Sequence, residues 1–74
     1  MYFIREEKKE EIKKIRTNYY SKKLGITPNF VSNILNGRIK CTELTARGII
    51  SIYYDISLND TRIEELLEEY FKEE

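Results

Sequence analysis

The chain has 74 residues, of which 41% are hydrophobic, so we expect a single domain with one small core. The single cysteine excludes an intramolecular disulfide framework, and the absence of histidine excludes a histidine-bearing zinc site and a histidine general base. Most enzyme classes are excluded with them. We therefore expect no cofactor and no metal. The formal net charge is zero, but residues 1–40 carry ten basic and four acidic side chains, and residues 41–74 carry three basic and nine acidic ones.

The first 25 residues predict two helices. Residues 4–16 favour a helix because glutamates and lysines recur at spacings of three and four, where they can pair on a solvated face. Thr17 and Asn18 can cap a second, short helix that continues to Leu24. Gly25 follows, and we expect it to end that helix in the left-handed conformation.

A third helix is predicted directly after this glycine. Thr27 can act as its cap, and Pro28 then occupies the first helical position, where its missing N–H costs nothing. We expect this helix to run to about Asn36 and to stop at Gly37. Two helices that are separated by about three residues around a glycine form a helix-turn-helix candidate.

The fourth helix is predicted against a competing pattern. Thr42 is a suitable cap, but the stretch from Ile50 to Leu58 alternates in the way a strand does. Because a lone strand has no partner elsewhere in the chain, we favour helix to about Tyr54 and then an extended segment.

The C-terminal segment predicts an acidic amphipathic helix over about residues 60–73, capped by Asn59 and Asp60. Its apolar stripe consists of Ile63, Leu66, Leu67, Tyr70 and Phe71. The resulting fold class is all-α: one domain of five helices that spans residues 1–74.

The segment from Thr17 to Asn36 carries a recognisable motif. With Gly25 at its ninth position, small Ser21 falls where the two helices touch. The apolar positions are then filled by Tyr20, Leu24, Ile26, Val31 and Ile34. This pattern, with the trailing run Val31–Arg38, resembles the phage Cro and repressor proteins of the xenobiotic-response-element-like helix-turn-helix family. The resemblance covers about residues 12–53, and it departs from the family in the large Tyr20 and in Ser21, where leucine and alanine are usual.

The third helix has one face suited to reading DNA bases. On a helical wheel, asparagines and a serine lie opposite the apolar side chains, and asparagine can hydrogen-bond adenine, whereas no arginine or lysine on this face would read guanine. The expected base contacts are Pro28, Asn29, Phe30, Ser32 and Asn33. The expected phosphate contacts are Thr17, Asn18, Lys22, Lys23, Asn36, Arg38 and Lys40. An ordinary solvated face is the alternative interpretation.

The resemblance implies a sequence-specific, double-stranded DNA-binding transcription regulator of the phage or prophage repressor type, in the cytoplasm of a bacterial or phage-infected cell. The acid-free stretch from Ile12 to Thr42 agrees with an electropositive face that attracts polyanions. We expect a homodimer paired through the C-terminal helix, with Leu67 and Phe71 at the contact and Leu66 and Tyr70 facing inward. The alternative is that the whole apolar stripe of this helix closes the core of the single chain.

The competing interpretation is a protein-binding module with the same fold, such as an antitoxin or an inhibitor of a host defence nuclease of the anti-CRISPR kind. The acidic C-terminal helix would suit it, because that helix could mimic nucleic acid or bind a basic partner. No membrane association is expected: the longest apolar stretch, Gly48–Tyr54, is too short to span a bilayer, and the first residues do not resemble a secretory signal.

Overall fold

Helices account for 58% of the residues in the structure, a computed structural model that describes all 74 residues. The elements in chain order are β1 (Tyr2–Ile4), one turn of 3-10 helix (Glu6–Lys8), α1 (Lys9–Ile12), α2 (Thr17–Leu24), α3 (Pro28–Leu35), α4 (Glu43–Tyr54), α5 (Ile63–Tyr70) and β2 (Phe71–Glu73). The prediction of a mostly helical domain with five α-helices is confirmed. The prediction that it contains no strand is wrong.

The two ends of the chain pair with each other. β1 and β2 are antiparallel, with Ile4 opposite Phe71 and Tyr2 opposite Glu73. Tyr2 also exchanges two backbone hydrogen bonds of 2.8 Å with Cys41. The sequence predicted helix from residue 4 onward and again up to residue 73. Both boundaries are wrong because the pairing partners lie at opposite ends of the chain, where no local periodicity reports them.

α1 is a four-residue turn and not the long helix predicted over residues 4–16. The glutamate–lysine pairs that favoured a long helix do form, for example Lys9–Glu6 at 2.7 Å, but Glu6 is largely exposed to solvent. Pairs of this kind contribute roughly 0.2–0.5 kcal/mol each. Ile12 is the only buried side chain of α1, and one anchor is too little to hold a long helix together.

The turn between α2 and α3 has the predicted local structure. Gly25 adopts φ 71°, in the left-handed region, and ends α2. The Thr27 hydroxyl accepts a hydrogen bond of 3.1 Å from the backbone N–H of Phe30, and Pro28 is the first helical residue of α3. Gly37, with φ 73°, follows the end of α3 as expected.

α4 is capped as predicted, whereas α5 begins and ends differently. The Thr42 hydroxyl accepts a hydrogen bond of 3.2 Å from the backbone N–H of Thr45, and the helix continues to Tyr54 and not into a strand. α5 starts only at Ile63 because Asp60 closes a turn ahead of it, accepting hydrogen bonds from the Arg62 backbone and guanidinium.

The core fixes one side of α3 onto the rest of the domain. Val31, Ile34 and Leu35 are completely buried, and burying each such side chain contributes roughly 1.5–3 kcal/mol. Behind them α2 and α4 approach closely, since a Cβ at Gly48 would lie 2.5 Å from Leu24 Cδ2. The opposite side of α3 is therefore left facing outward.

The two side chains predicted for a subunit contact lie inside the chain's own core. Leu67 is 4% exposed and Phe71 is 1% exposed, so the assignment of both to a dimer interface is corrected here. The expected stripe is broken because Phe71 leaves the helix and belongs to β2. Tyr70 faces inward as predicted, and Leu66 is only partly buried.

Candidate nucleic-acid interface

The outward face of α3 begins with three exposed residues, Pro28, Asn29 and Phe30, the last of which is 40% exposed. They project from the first turn of the helix, directly after the Thr27 cap. Because the helix is anchored by its buried side, this first turn is presented on a rigid support. The helical wheel placed four polar residues on this face, and only the first of them is exposed while the others are partly buried: Asn29, Ser32, Asn33 and Asn36.

The polar residue that directly follows α3 has its side chain hydrogen-bonded within the protein. Asn36 directs its amide nitrogen at the Ser32 carbonyl and hydroxyl, at 2.8 and 3.3 Å, and its Oδ1 accepts a hydrogen bond of 2.9 Å from Lys13. The amide therefore caps the last turn of α3 and ties it to the segment after α1. Asn36 was expected to contact a phosphate, but in the structure both hydrogen bonds from its amide nitrogen go to Ser32.

Asn33 and Arg38 lie together at the far end of the same face. The Arg38 guanidinium donates a hydrogen bond of 3.3 Å to Asn33 Oδ1, and its backbone N–H donates one of 2.9 Å to the Asn33 carbonyl. Asn33 is partly buried, while Arg38 is exposed. The left-handed Gly37 turns the chain back and brings the arginine beside the helix.

Exposed cations without an ion-pair partner cluster around these two helices. Six basic side chains form no ion pair, and one of them, Arg5, donates to the Glu68 carbonyl at 2.8 Å. The other five are all exposed: Lys14, Arg16, Lys22, Lys23 and Arg38. They lie just before α2, on α2 and just after α3, and no ion pair neutralises any of them, although Asp55 lines a pocket together with Arg16.

Two of these cations, Lys14 and Arg16, were not among the predicted contacts. Arg16 occupies the cap position of α2, one residue before the predicted cap, and makes no capping hydrogen bond with its side chain. Two features of the sequence could have identified Arg16: it immediately precedes Thr17, a predicted phosphate contact, and it lies in the stretch without acidic residues. Lys40, by contrast, was predicted as a phosphate contact and is paired with Glu74 at 3.8 Å.

A shallow groove connects the first turns of α2 and α3. It is lined by Arg16, Asn18, Tyr19, Ser21, Lys22 and Pro28. Thr17, at the start of α2, is partly buried. The first N–H groups of a helix have no intrahelical partner, and no side chain caps those of α2. The groove therefore places the cationic side chains of Arg16 and Lys22 beside the N-terminal end of α2, an arrangement that suits an anionic ligand.

A carboxylate and three tyrosines join α1, α4 and α5. Glu11 Oε2 accepts hydrogen bonds from the hydroxyls of Tyr53, at 3.1 Å, and of Tyr70, which also bonds the Tyr54 hydroxyl. The hydrogen bond from Tyr70 lowers the pKa of Glu11, whereas burial is the main cause that raises the pKa of Tyr70. The cluster fixes α1, and with it the segment that leads into α2.

No group of three or more acidic or cysteine side chains is placed to hold a metal ion, and no helix is both long and apolar enough to cross a membrane. Cys41 is 2% exposed, and burial raises the pKa of its thiol to about 11. Comparisons of the chain with models of protein families, with curated proteins and with solved structures found no match.

Proposed function

We propose that the chain is a sequence-specific double-stranded DNA-binding protein, a transcription regulator of the phage or prophage repressor type. The observation that carries the proposal is the position of the unpaired cations. All five exposed ones lie on α2, just before it or just after α3, and two of them, Arg16 and Lys22, line a groove with Pro28 in the neutral, exposed first turn of α3. Cations around a neutral reading surface are what duplex DNA requires, because phosphates position a protein and base edges specify its sequence.

In this proposal α2 and α3 act as a helix-turn-helix. α3 enters the major groove with its first turn toward the base edges, and α2 lies across the backbone. Lys22 and Lys23 on α2 and Arg16 ahead of it neutralise phosphates on one side, and Arg38 does so on the other. The three-residue turn around Gly25 and the buried side of α3 support this geometry.

The proposal includes a homodimer in the cytoplasm of a bacterial or phage-infected cell. One eight-residue helix contacts few base pairs, and two-fold pairing would place two such helices about 34 Å apart, one turn of DNA. Because Leu67 and Phe71 are buried, the pairing uses other surfaces. Two protomers per duplex site, measured by sedimentation of the complex, would support this part of the proposal.

The second candidate is a protein-binding module, an antitoxin or nuclease inhibitor, and the acidic surface of α5 favours it. Glu65 and Glu68 are exposed and form no ion pair. A surface of this kind fits a basic partner and not DNA. The DNA-binding candidate uses the basic surface around α2 and α3, whereas the protein-binding candidate uses the acidic surface of α5. Reversing a charge on one of these surfaces therefore distinguishes the two candidates.

The test compares Lys22→Glu with Lys72→Glu in duplex-DNA binding. Both side chains are exposed and both changes add the same charge, but Lys22 lies on α2 and Lys72 lies on β2, where it is 3.6 Å from Glu74. We expect Lys22→Glu to weaken binding to every duplex sequence and Lys72→Glu to leave it nearly unchanged. Equal effects of the two variants would contradict the proposed interface.

A further inference from the structure

The outward face of α3 carries no charged side chain. Pro28, Asn29 and Phe30 are exposed, and the Asn29 amide makes no hydrogen bond within the protein. Ser32 and Asn33, one turn further along, are partly buried and already hydrogen-bonded. The side chains that are free to contact a base edge are therefore an amide and its two apolar neighbours.

These groups match some base pairs better than others. A free carboxamide offers one donor and one acceptor side by side, which is the arrangement that pairs with adenine N6 and N7. An exposed phenyl ring beside it can contact the methyl group of thymine. Guanine is read most often by arginine or lysine on O6 and N7, and the first turn of α3 has neither.

No cation lies on the first turn of α3 itself. Arg16 and Lys22 share a groove with Pro28, but they belong to the segment before α2 and to α2. Lys22 and Lys23 lie on α2, and Arg38 lies beyond the last residue of α3, where its guanidinium is held on Asn33 Oδ1 at 3.3 Å. A bidentate contact to guanine at the first turn of α3 would require the Arg38 side chain to leave Asn33.

We infer that the first turn of α3 selects A·T base pairs, with Asn29 reading adenine and Phe30 contacting an adjacent thymine methyl. This inference rests on the proposed DNA-binding function and deepens it by naming the class of site. Asn29 and Phe30 are then specificity-determining residues, whereas the flanking cations set affinity without regard to sequence.

The experiment is selection from a random duplex library with the wild type, Asn29→Ala and Asn29→Arg. We expect the wild type to enrich adenine at one position with thymine beside it. Asn29→Ala should reduce that discrimination by about 5- to 150-fold, the loss expected for one good bidentate contact. Asn29→Arg should move the preference at the same position to guanine. Lys22→Ala is the control, because it should weaken binding without changing the selected bases.

The outcomes separate the inference from the function on which it rests. Enrichment of G·C pairs by the wild type, or duplex binding with no enrichment at all, would overturn the inference and leave DNA binding in place. Failure to bind any duplex would overturn both. Circular dichroism of each variant checks that the exposed Asn29 has been replaced without loss of the fold.

Discussion

Replacing Gly25 by alanine, valine and asparagine probes the turn that sets α3 against α2. Gly25 has φ 71°, and its N–H donates a hydrogen bond of 2.9 Å to the Ser21 carbonyl, which also accepts one of 3.3 Å from Ile26. The first of these is an ordinary helical bond, whereas the second forms because the chain turns back at the left-handed Gly25. A Cβ added at Gly25 would meet no atom within 4 Å, so any cost of alanine comes from the backbone conformation alone.

The left-handed conformation costs a residue with a Cβ roughly 1–2 kcal/mol. For a domain of this size each kcal/mol lowers the melting temperature by about 4–8 °C, so Gly25→Ala should lower it by about 4–16 °C. Gly25→Val should cost more because its side chain is β-branched. Gly25→Asn should cost least, since asparagine adopts this conformation more readily.

Thermal and urea unfolding, followed by circular dichroism at 222 nm, measure these differences at one pH and salt concentration. Alanine and asparagine variants as stable as the wild type would show that the turn does not need a left-handed residue. An asparagine variant as damaged as the valine variant would show that space, and not backbone conformation, limits position 25. Either result would refute the reasoning.

Three further changes test other parts of the structure. Glu11→Gln should make the free energy of unfolding depend less on pH in the acidic range. The pKa of Glu11 is lowered in the folded state, so its contribution to stability is present above the unfolded pKa and is lost as pH falls through the folded pKa. Urea unfolding of both proteins from neutral to acidic pH measures this difference. Phe71→Ala should lower the free energy of unfolding by about 3–5 kcal/mol. Phe71→Glu should unfold the chain and not merely dissociate a dimer. Sedimentation and circular dichroism together distinguish unfolding from dissociation. Asn36→Ala should cost about 1–2 kcal/mol through its lost hydrogen bonds while leaving non-specific duplex affinity unchanged; a weaker affinity at equal stability would restore Asn36 as a phosphate contact.

The middle of the chain was predictable from its sequence because its signals are local. Thr27, Pro28 and Gly37 each act on the backbone within a few residues, and the bounds of α3 follow from them. The strand-like alternation after Ile50 was correctly set aside, since α4 continues to Tyr54.

The ends of the chain were not predictable in the same way. β1 and β2 depend on a pairing between Ile4 and Phe71 that no local pattern contains. The same pairing removes Phe71 from the helical stripe and buries it, which is why its expected role at a subunit contact was wrong.

The candidate interface was predictable in part. The helical wheel identified the buried side of α3 and the outward position of Asn29. It did not predict that Phe30 is exposed or that Ser32 and Asn33 are partly buried. The Asn36 side chain is hydrogen-bonded to Lys13 and Ser32, and these contacts become visible only in the folded chain. Ion pairing likewise separates Lys40 from the free cations, a distinction that composition alone does not make.

The most direct test of the central claim is the affinity of the wild-type protein for a non-specific DNA duplex, measured across a series of salt concentrations. Each neutralised phosphate contributes roughly −0.9 to the slope of log affinity against log salt. If four or five of the free cations around α2 and α3 engage phosphates, the slope should be about −4 per protomer, and it should become about one unit shallower in Lys22→Ala. No binding at the lowest salt, or binding whose strength does not change with salt, would contradict the proposal that this surface binds DNA.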